Sequence, residues 1–101
     1  MPANLINKDI RLNVGFFQHI KTKKLLKRLG EKGVLSLLQL WCYAGANVPS
    51  GDISHLTDEE IALASGWDGD CEIFVKVLSE VGFIDEILNP DGTITRKLHD
   101  W

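Results

Sequence analysis

The feature that most restricts the fold of this chain is a turn signal near its end, the tetrapeptide Asn-Pro-Asp-Gly at 89–92. Proline at the second position and glycine at the fourth are typical of a type I turn. The flanking runs 83–88 and 93–98 have the composition of strands, whereas most of the chain before them has helical hydrophobic patterns. The sequence therefore predicts an α+β domain whose helices come first and whose β-hairpin comes last.

The first predicted helix spans 17–29 and has one apolar side and one basic side. Leu25, Leu26 and Leu29 fall within one sector of this helix, and Gly30 is placed to end it in the left-handed conformation. The opposite side is predicted to carry a row of cations, Lys21, Lys23, Lys24, Lys27 and Arg28. Residues 1–15 show no clear helical period, so we expect an extended segment there and the folded domain at 16–101.

The second predicted helix, 31–45, is apolar almost all round, so we expect it to be the central helix of the domain. Ser36 and Gln39 mark its polar side, and Gly45 is expected to end it. Its apolar face should pack against a later helix at 70–81, with Leu35, Leu38, Trp41 and Cys42 meeting Phe74, Val77, Leu78 and Val81.

Two further helices follow a short extended piece at 52–56. Thr57 and Glu60 have the spacing of a capping box, which predicts a short helix, and a tight turn then leads into helix 70–81. This order of elements is that of a winged helix-turn-helix domain, with the hairpin at 83–98 as its wing. The predicted fold is an α+β winged helix with an extra basic N-terminal helix.

Charge is divided sharply between the two ends of the chain. Residues 1–33 contain eight basic and two acidic side chains, whereas the remaining residues contain three basic and twelve acidic ones. A basic helix on a chain with an acidic remainder predicts a polyanionic partner for that helix. We expect DNA to be contacted through its phosphates by Lys21, Lys23, Lys24, Lys27 and Arg28, with Arg96 and Lys97 on the wing.

Helix 70–81 is a poor candidate for reading bases in the major groove. Its predicted solvent face carries Glu72, Lys76 and Glu80, and such a face repels phosphate. These three residues are therefore predicted to contact a protein, either a different partner or a second copy of this chain. Two alternatives to a DNA-associated assembly module remain: a protein–protein interaction or oligomerisation domain that does not bind DNA and, with less support, a small transcription regulator.

Nothing in the sequence predicts an enzyme, a metal site or a cofactor. The histidines His19, His55 and His99 have no metal-ligand spacing, and no serine or cysteine lies in a nucleophile motif. No apolar run is long enough for a membrane span, so no membrane partner is expected. The two cysteines, Cys42 and Cys71, fit a reducing cytoplasm better than a disulfide framework.

Several short motifs, in order, resemble one known family. They are HIKTKKL at 19–25, LWCYA at 40–44, PSGDI at 49–53, IA at 61–62, GW at 66–67, GFID at 82–85 and LHDW at 98–101. Together they resemble the N-terminal winged-helix domain of phage replisome organizer and replication-initiation proteins, relatives of the DnaD-like replication domain. The resemblance implies a phage or prophage protein that acts at origin DNA, helps to recruit the host replication helicase machinery, and continues beyond this domain.

Overall fold

A computed structural model describes residues 9–101, and the first part of the predicted extended segment, residues 1–8, lies outside the described residues. The described chain is α+β, with three α-helices and one two-stranded antiparallel hairpin. After a 3-10 turn at Phe16–Gln18, the elements are α1 (Ile20–Asn47), α2 (Asp58–Ser65), α3 (Cys71–Val81), β1 (Ile84–Leu88) and β2 (Ile94–Leu98).

The two helices predicted at 17–29 and 31–45 form one element, α1, which is interrupted at Gly30. Gly30 has φ 74° and ψ −174°, a conformation that is essentially restricted to glycine. The break falls at the predicted residue, but its ψ angle differs from the left-handed cap that we expected. Gly45 does not end the helix, which continues to Asn47.

The core-facing side of α1 differs from the predicted one. Val34, Leu37, Leu40 and Ala44 are buried, together with Ser36, of which only 1% is exposed. The packing prediction was wrong for Leu35 and Cys42, which are both exposed, whereas Leu38 and Trp41 pack against the core and are partly buried. The difference arises because this segment is apolar nearly all round, so the sequence pattern places Ser36 on a polar side, whereas its side chain is small enough to be buried.

The cap of α2 agrees with the prediction, and α3 is capped by Asp70, whose carboxylate accepts from the Ile73 amide at 3.1 Å. The Thr57 hydroxyl accepts from the Glu60 amide at 3.1 Å, and the Glu60 carboxylate accepts from the Thr57 amide at 2.9 Å. Between the helices, the Trp67 ring stacks on Phe74 with centroids 5.1 Å apart, and the Trp67 indole N–H donates to the carbonyl of Asp70. The junction is thus fixed by an aromatic contact with the core.

The hairpin is anchored at its base and projects from the domain at its tip. At the base Ile84 pairs with Leu98, and both side chains are buried. At the tip Leu88 pairs with Ile94, and Leu88 is 75% exposed. The segment between α1 and α2 adds one bridge, from Asp52 to Lys97 of β2.

Candidate nucleic-acid interface

Three of the predicted DNA-binding lysines form one exposed surface on α1. Lys23, Lys24 and Lys27 are exposed, and their spacing places them side by side on the helix. Within residues 9–101 none of the three has a carboxylate at ion-pair distance. We call these three residues the lysine face.

Arg28 and Lys21 lie on the side of α1 that meets α3, and both contact it. The Arg28 guanidinium is 2.9 Å from the Glu80 carboxylate. The Lys21 ammonium donates to the carbonyl of Gly82 over 3.1 Å, and its side chain is half-buried. Sequence analysis predicts Lys21 among the cations that contact phosphate, whereas in the fold its ammonium is engaged, because the carbonyls at the C-terminal end of α3 need donors and Lys21 supplies one.

Arg96 on β2 is held between two carboxylates. Its Nη1 is 2.7 Å from Asp58 and its Nε is 2.8 Å from Glu86, and only 22% of the side chain is exposed. Burial lowers the pKa of Arg96, but the hydrogen bond to Glu86 and the charges of Asp58 and Glu86 outweigh it, so the pKa lies above its usual value. The bond from Arg96 also holds the pKa of Glu86 below its usual value. Arg96 thus joins the hairpin to α2, and its charge is largely neutralised.

The remaining predicted site residues lie on other elements, the hairpin and α3. Lys97 is exposed on the face of the hairpin that carries Asp85. Glu72 and Lys76 are exposed on α3 as predicted for a protein contact, whereas Glu80 is paired with Arg28. The structure therefore divides the seven predicted DNA-binding residues into the three lysines of the lysine face, three cations engaged within the fold, and Lys97, which is exposed on the hairpin.

An apolar groove beside the lysine face was not predicted from the sequence. It has a volume of about 410 Å³ and is lined by Phe17, Leu26 and Leu35 among others, with Lys23 and Glu31 at its edge. These three large apolar side chains, and Ile20 on the same helix, are well exposed. Sequence analysis predicts Leu26 on the apolar side of its helix with Leu25, but only Leu25 is buried. The sequence signal for the groove is the number of leucines around Gly30. A helix of this length buries only one stripe of apolar side chains, so leucines outside that stripe stay exposed.

The described residues offer no sign of a metal centre or a membrane span. No group of three or more His, Cys, Asp or Glu side chains within 9–101 is placed to hold a metal ion. None of the helices in that range combines the length and the apolar character that crossing a bilayer requires. Comparisons of the chain with protein-family models, curated proteins and solved structures found no match.

Proposed function

We propose that this chain is a DNA-associated assembly module that holds duplex DNA by its phosphates through the lysine face. The observation that carries this proposal is the contrast in pairing among the cations. Arg28, Arg96 and Lys21 are satisfied within the fold, whereas three adjacent lysines of α1 are exposed without an acidic partner in the described chain. Unpaired, clustered lysines release counterions from DNA, which is the main source of non-specific affinity.

We further propose that the domain is a winged helix. The succession of α2, a short junction and α3 supports this, as does the hairpin that follows directly. The bridge between Asp52 and Lys97 adds to the support, because it brings the segment before α2 alongside the hairpin. In this fold the hairpin is the wing, and its apolar tip projects beyond the domain.

The proposed contact holds the protein on DNA without recognising the base sequence. Lysine ammonium groups bind phosphate as point charges and carry no base preference. The helix that reads bases in many winged helices corresponds here to α3, whose exposed Glu72 opposes the approach of phosphate. We therefore place α1, and not α3, against the DNA.

A salt titration of duplex binding tests this proposal. Three phosphate contacts predict a slope of log affinity against log salt concentration of about −3. In the double variant Lys24→Glu, Lys27→Glu we expect affinity for every duplex sequence to fall and the slope to shrink to about −1. The control is Lys76→Glu, which reverses a charge on α3 and should leave the slope unchanged. An unaltered slope in the double variant, or a large effect of the control, would contradict the proposal.

The ordered motifs described above support a place in replication initiation. We propose that the module belongs to a phage or prophage replication-initiation protein of the replisome-organizer kind and that it helps to recruit the host helicase machinery. Addition of the purified host replicative helicase to the DNA complex should then give a slower-migrating species. A complex that is unchanged by helicase, with or without its loader, would contradict this part.

The apolar groove favours a second candidate function, self-association. Lys23 and Glu31 both border the groove, so a two-fold pairing of two copies can place opposite charges together while it covers the exposed apolar side chains. Light scattering should then show a dimer that Leu35→Glu abolishes. High salt would leave an apolar dimer intact, whereas it would dissociate a pairing of the acidic α3 with a basic surface. A monomer at every concentration and salt level would reject both.

A further inference from the structure

A cleft lies between residues 9–13 and the last residues of the chain. One half, about 510 Å³, is lined by residues that include Trp41, Trp101 and Arg11. The other half, about 410 Å³, shares Trp41 and Arg11 and adds Lys21. Each volume is in the range of small-ligand sites in proteins.

Aromatic rings form much of the wall of this cleft. Trp41 lies edge-on to Phe16 and Phe83, with ring centroids 5.3 and 6.1 Å apart, and it borders both halves of the cleft. The indole of Trp101 lies across Gly51, where φ is 77° and a Cβ would overlap the ring. Its N–H donates to the carbonyl of Pro49 at 2.7 Å, and 40% of the residue is exposed. A planar ligand therefore meets two indoles that are already held in position.

Both a cation and carboxylates border this cleft. Arg11 lines both halves and is exposed, with no carboxylate of the described chain at ion-pair distance. Asp100 also lines both halves, and Asp9 lies in the half that contains Trp101. Cations recognise a phosphate, and carboxylates accept hydrogen bonds from the amino and imino groups of a base.

We propose that this cleft binds an unstacked nucleobase together with its phosphate, so that the protein holds single-stranded DNA as well as duplex. The base lies against Trp41 and Trp101, and the adjoining phosphate lies near Arg11. Duplex DNA cannot use the site, because its bases are stacked and paired. The inference rests on the proposed function, since it extends DNA contact from the lysine face to a second surface.

Three labelled ligands separate base contact from phosphate contact. They are a 12-nucleotide oligothymidylate, an abasic strand with the same number of phosphates, and a 12-base-pair hairpin duplex. The wild-type chain should bind oligothymidylate about tenfold more tightly than the abasic strand, because stacking on an aromatic side chain strengthens binding by about that factor per base. Trp101→Ala should remove most of this ratio, and Trp101→Phe should retain much of it. Arg11→Glu should weaken both strands with little effect on the duplex, whereas Lys76→Glu should affect neither.

The outcomes distinguish the cleft from the lysine face. Equal affinity of the wild-type chain for the abasic strand and oligothymidylate overturns the inference about the cleft, even where duplex binding depends on Lys24 and Lys27. A preference for oligothymidylate that survives in Trp101→Ala, with near-ultraviolet circular dichroism showing a folded variant, also overturns it. Failure to bind any of the three ligands overturns the cleft and the proposed function together.

Discussion

The lysine face of α1 and the β-hairpin both carry cations that sequence analysis predicts to contact DNA, but their surroundings differ. Lys23, Lys24 and Lys27 are exposed and unpaired within the described residues. Arg96 on the hairpin has two carboxylates within 2.8 Å and is largely covered. The same formal charge is therefore available to a polyanion at one surface and used for tertiary structure at the other.

This difference explains why the charge division along the sequence overstates the basic surface of the folded chain. Acids from the C-terminal part return to basic residues, as Glu80 does to Arg28 and Asp68 to Lys32. Each such pair has a small energetic value when exposed, yet it removes a cation from the set that can meet phosphate. The unpaired cations of the lysine face form a narrow surface, which is consistent with the proposed non-specific contact with phosphate.

The largest expected effect concerns the core that holds both regions in place. Leu37 on the inward side of α1 is fully buried, so Leu37→Ala should lower the free energy of unfolding by about 2–5 kcal/mol. Leu35, 56% exposed on the other side of the same helix, should lose less than about 1 kcal/mol on the same change. Urea denaturation of the two variants measures both values. Similar losses would mean that α1 is rotated relative to the orientation described here.

The second largest effect is expected on removal of Arg96, the engaged cation of the hairpin. Arg96→Ala leaves the carboxylates of Asp58 and Glu86 without their common partner, and we expect a loss of about 1–3 kcal/mol in the free energy of unfolding. Lys24→Ala, on the lysine face, should change it by no more than about 0.5 kcal/mol. Duplex affinity should respond in the opposite order, falling for Lys24→Ala and staying nearly constant for Arg96→Ala at a temperature where both variants are folded. If both variants changed stability and duplex affinity equally, the two regions would not differ in function as described.

Local signals accounted for most of the element order. The capping box at Thr57, the aspartate cap at Asp70 and the Asn-Pro-Asp-Gly turn each involve residues within four positions of one another. Because such contacts form within one element, their chemistry can be recognised in the sequence. Gly30 was recognised for the same reason, although its conformation differs from the expected cap.

Contacts between distant residues could not be recognised in that way. Arg96 and Asp58 are 38 positions apart, and Lys21 and Gly82 are 61 positions apart. Their pairing depends on how α1, α3 and the hairpin pack, and nothing in the local pattern specifies it. The face of α1 was misassigned for a related reason, since a helix with leucines on several sides has no single apolar stripe to identify.

A smaller effect is expected from a comparison of two lysines of α1, Lys21 and Lys24. Lys21→Met removes the hydrogen bond to the Gly82 carbonyl and should lower the free energy of unfolding by about 0.5–1.5 kcal/mol. Lys24→Met keeps the same chain length and should have almost no effect on stability, because Lys24 is exposed. In duplex binding, Lys24→Met should reduce the salt slope by about 0.9 and Lys21→Met by clearly less. If both variants change stability and slope equally, Lys21 belongs to the lysine face after all.

The smallest expected effect is on the pH dependence of the free energy of unfolding, to which Glu86 in the hairpin contributes. The hydrogen bond from Arg96 holds the pKa of Glu86 below its usual value of 4.5. A carboxylate with a lowered pKa stabilises the fold fully above the pKa of the unfolded chain, and that stabilisation is lost as the pH falls through the lower, folded value. Glu86→Gln should therefore reduce the drop in the free energy of unfolding between pH 6 and pH 3. Since about a third of the Glu86 side chain is exposed, we expect a difference of a few tenths of a kcal/mol. In an Arg96→Ala background the same substitution should leave the pH dependence nearly unchanged, because the partner that lowers the pKa is gone. A full effect of Glu86→Gln in that background would show that another group, and not Arg96, stabilises the Glu86 carboxylate.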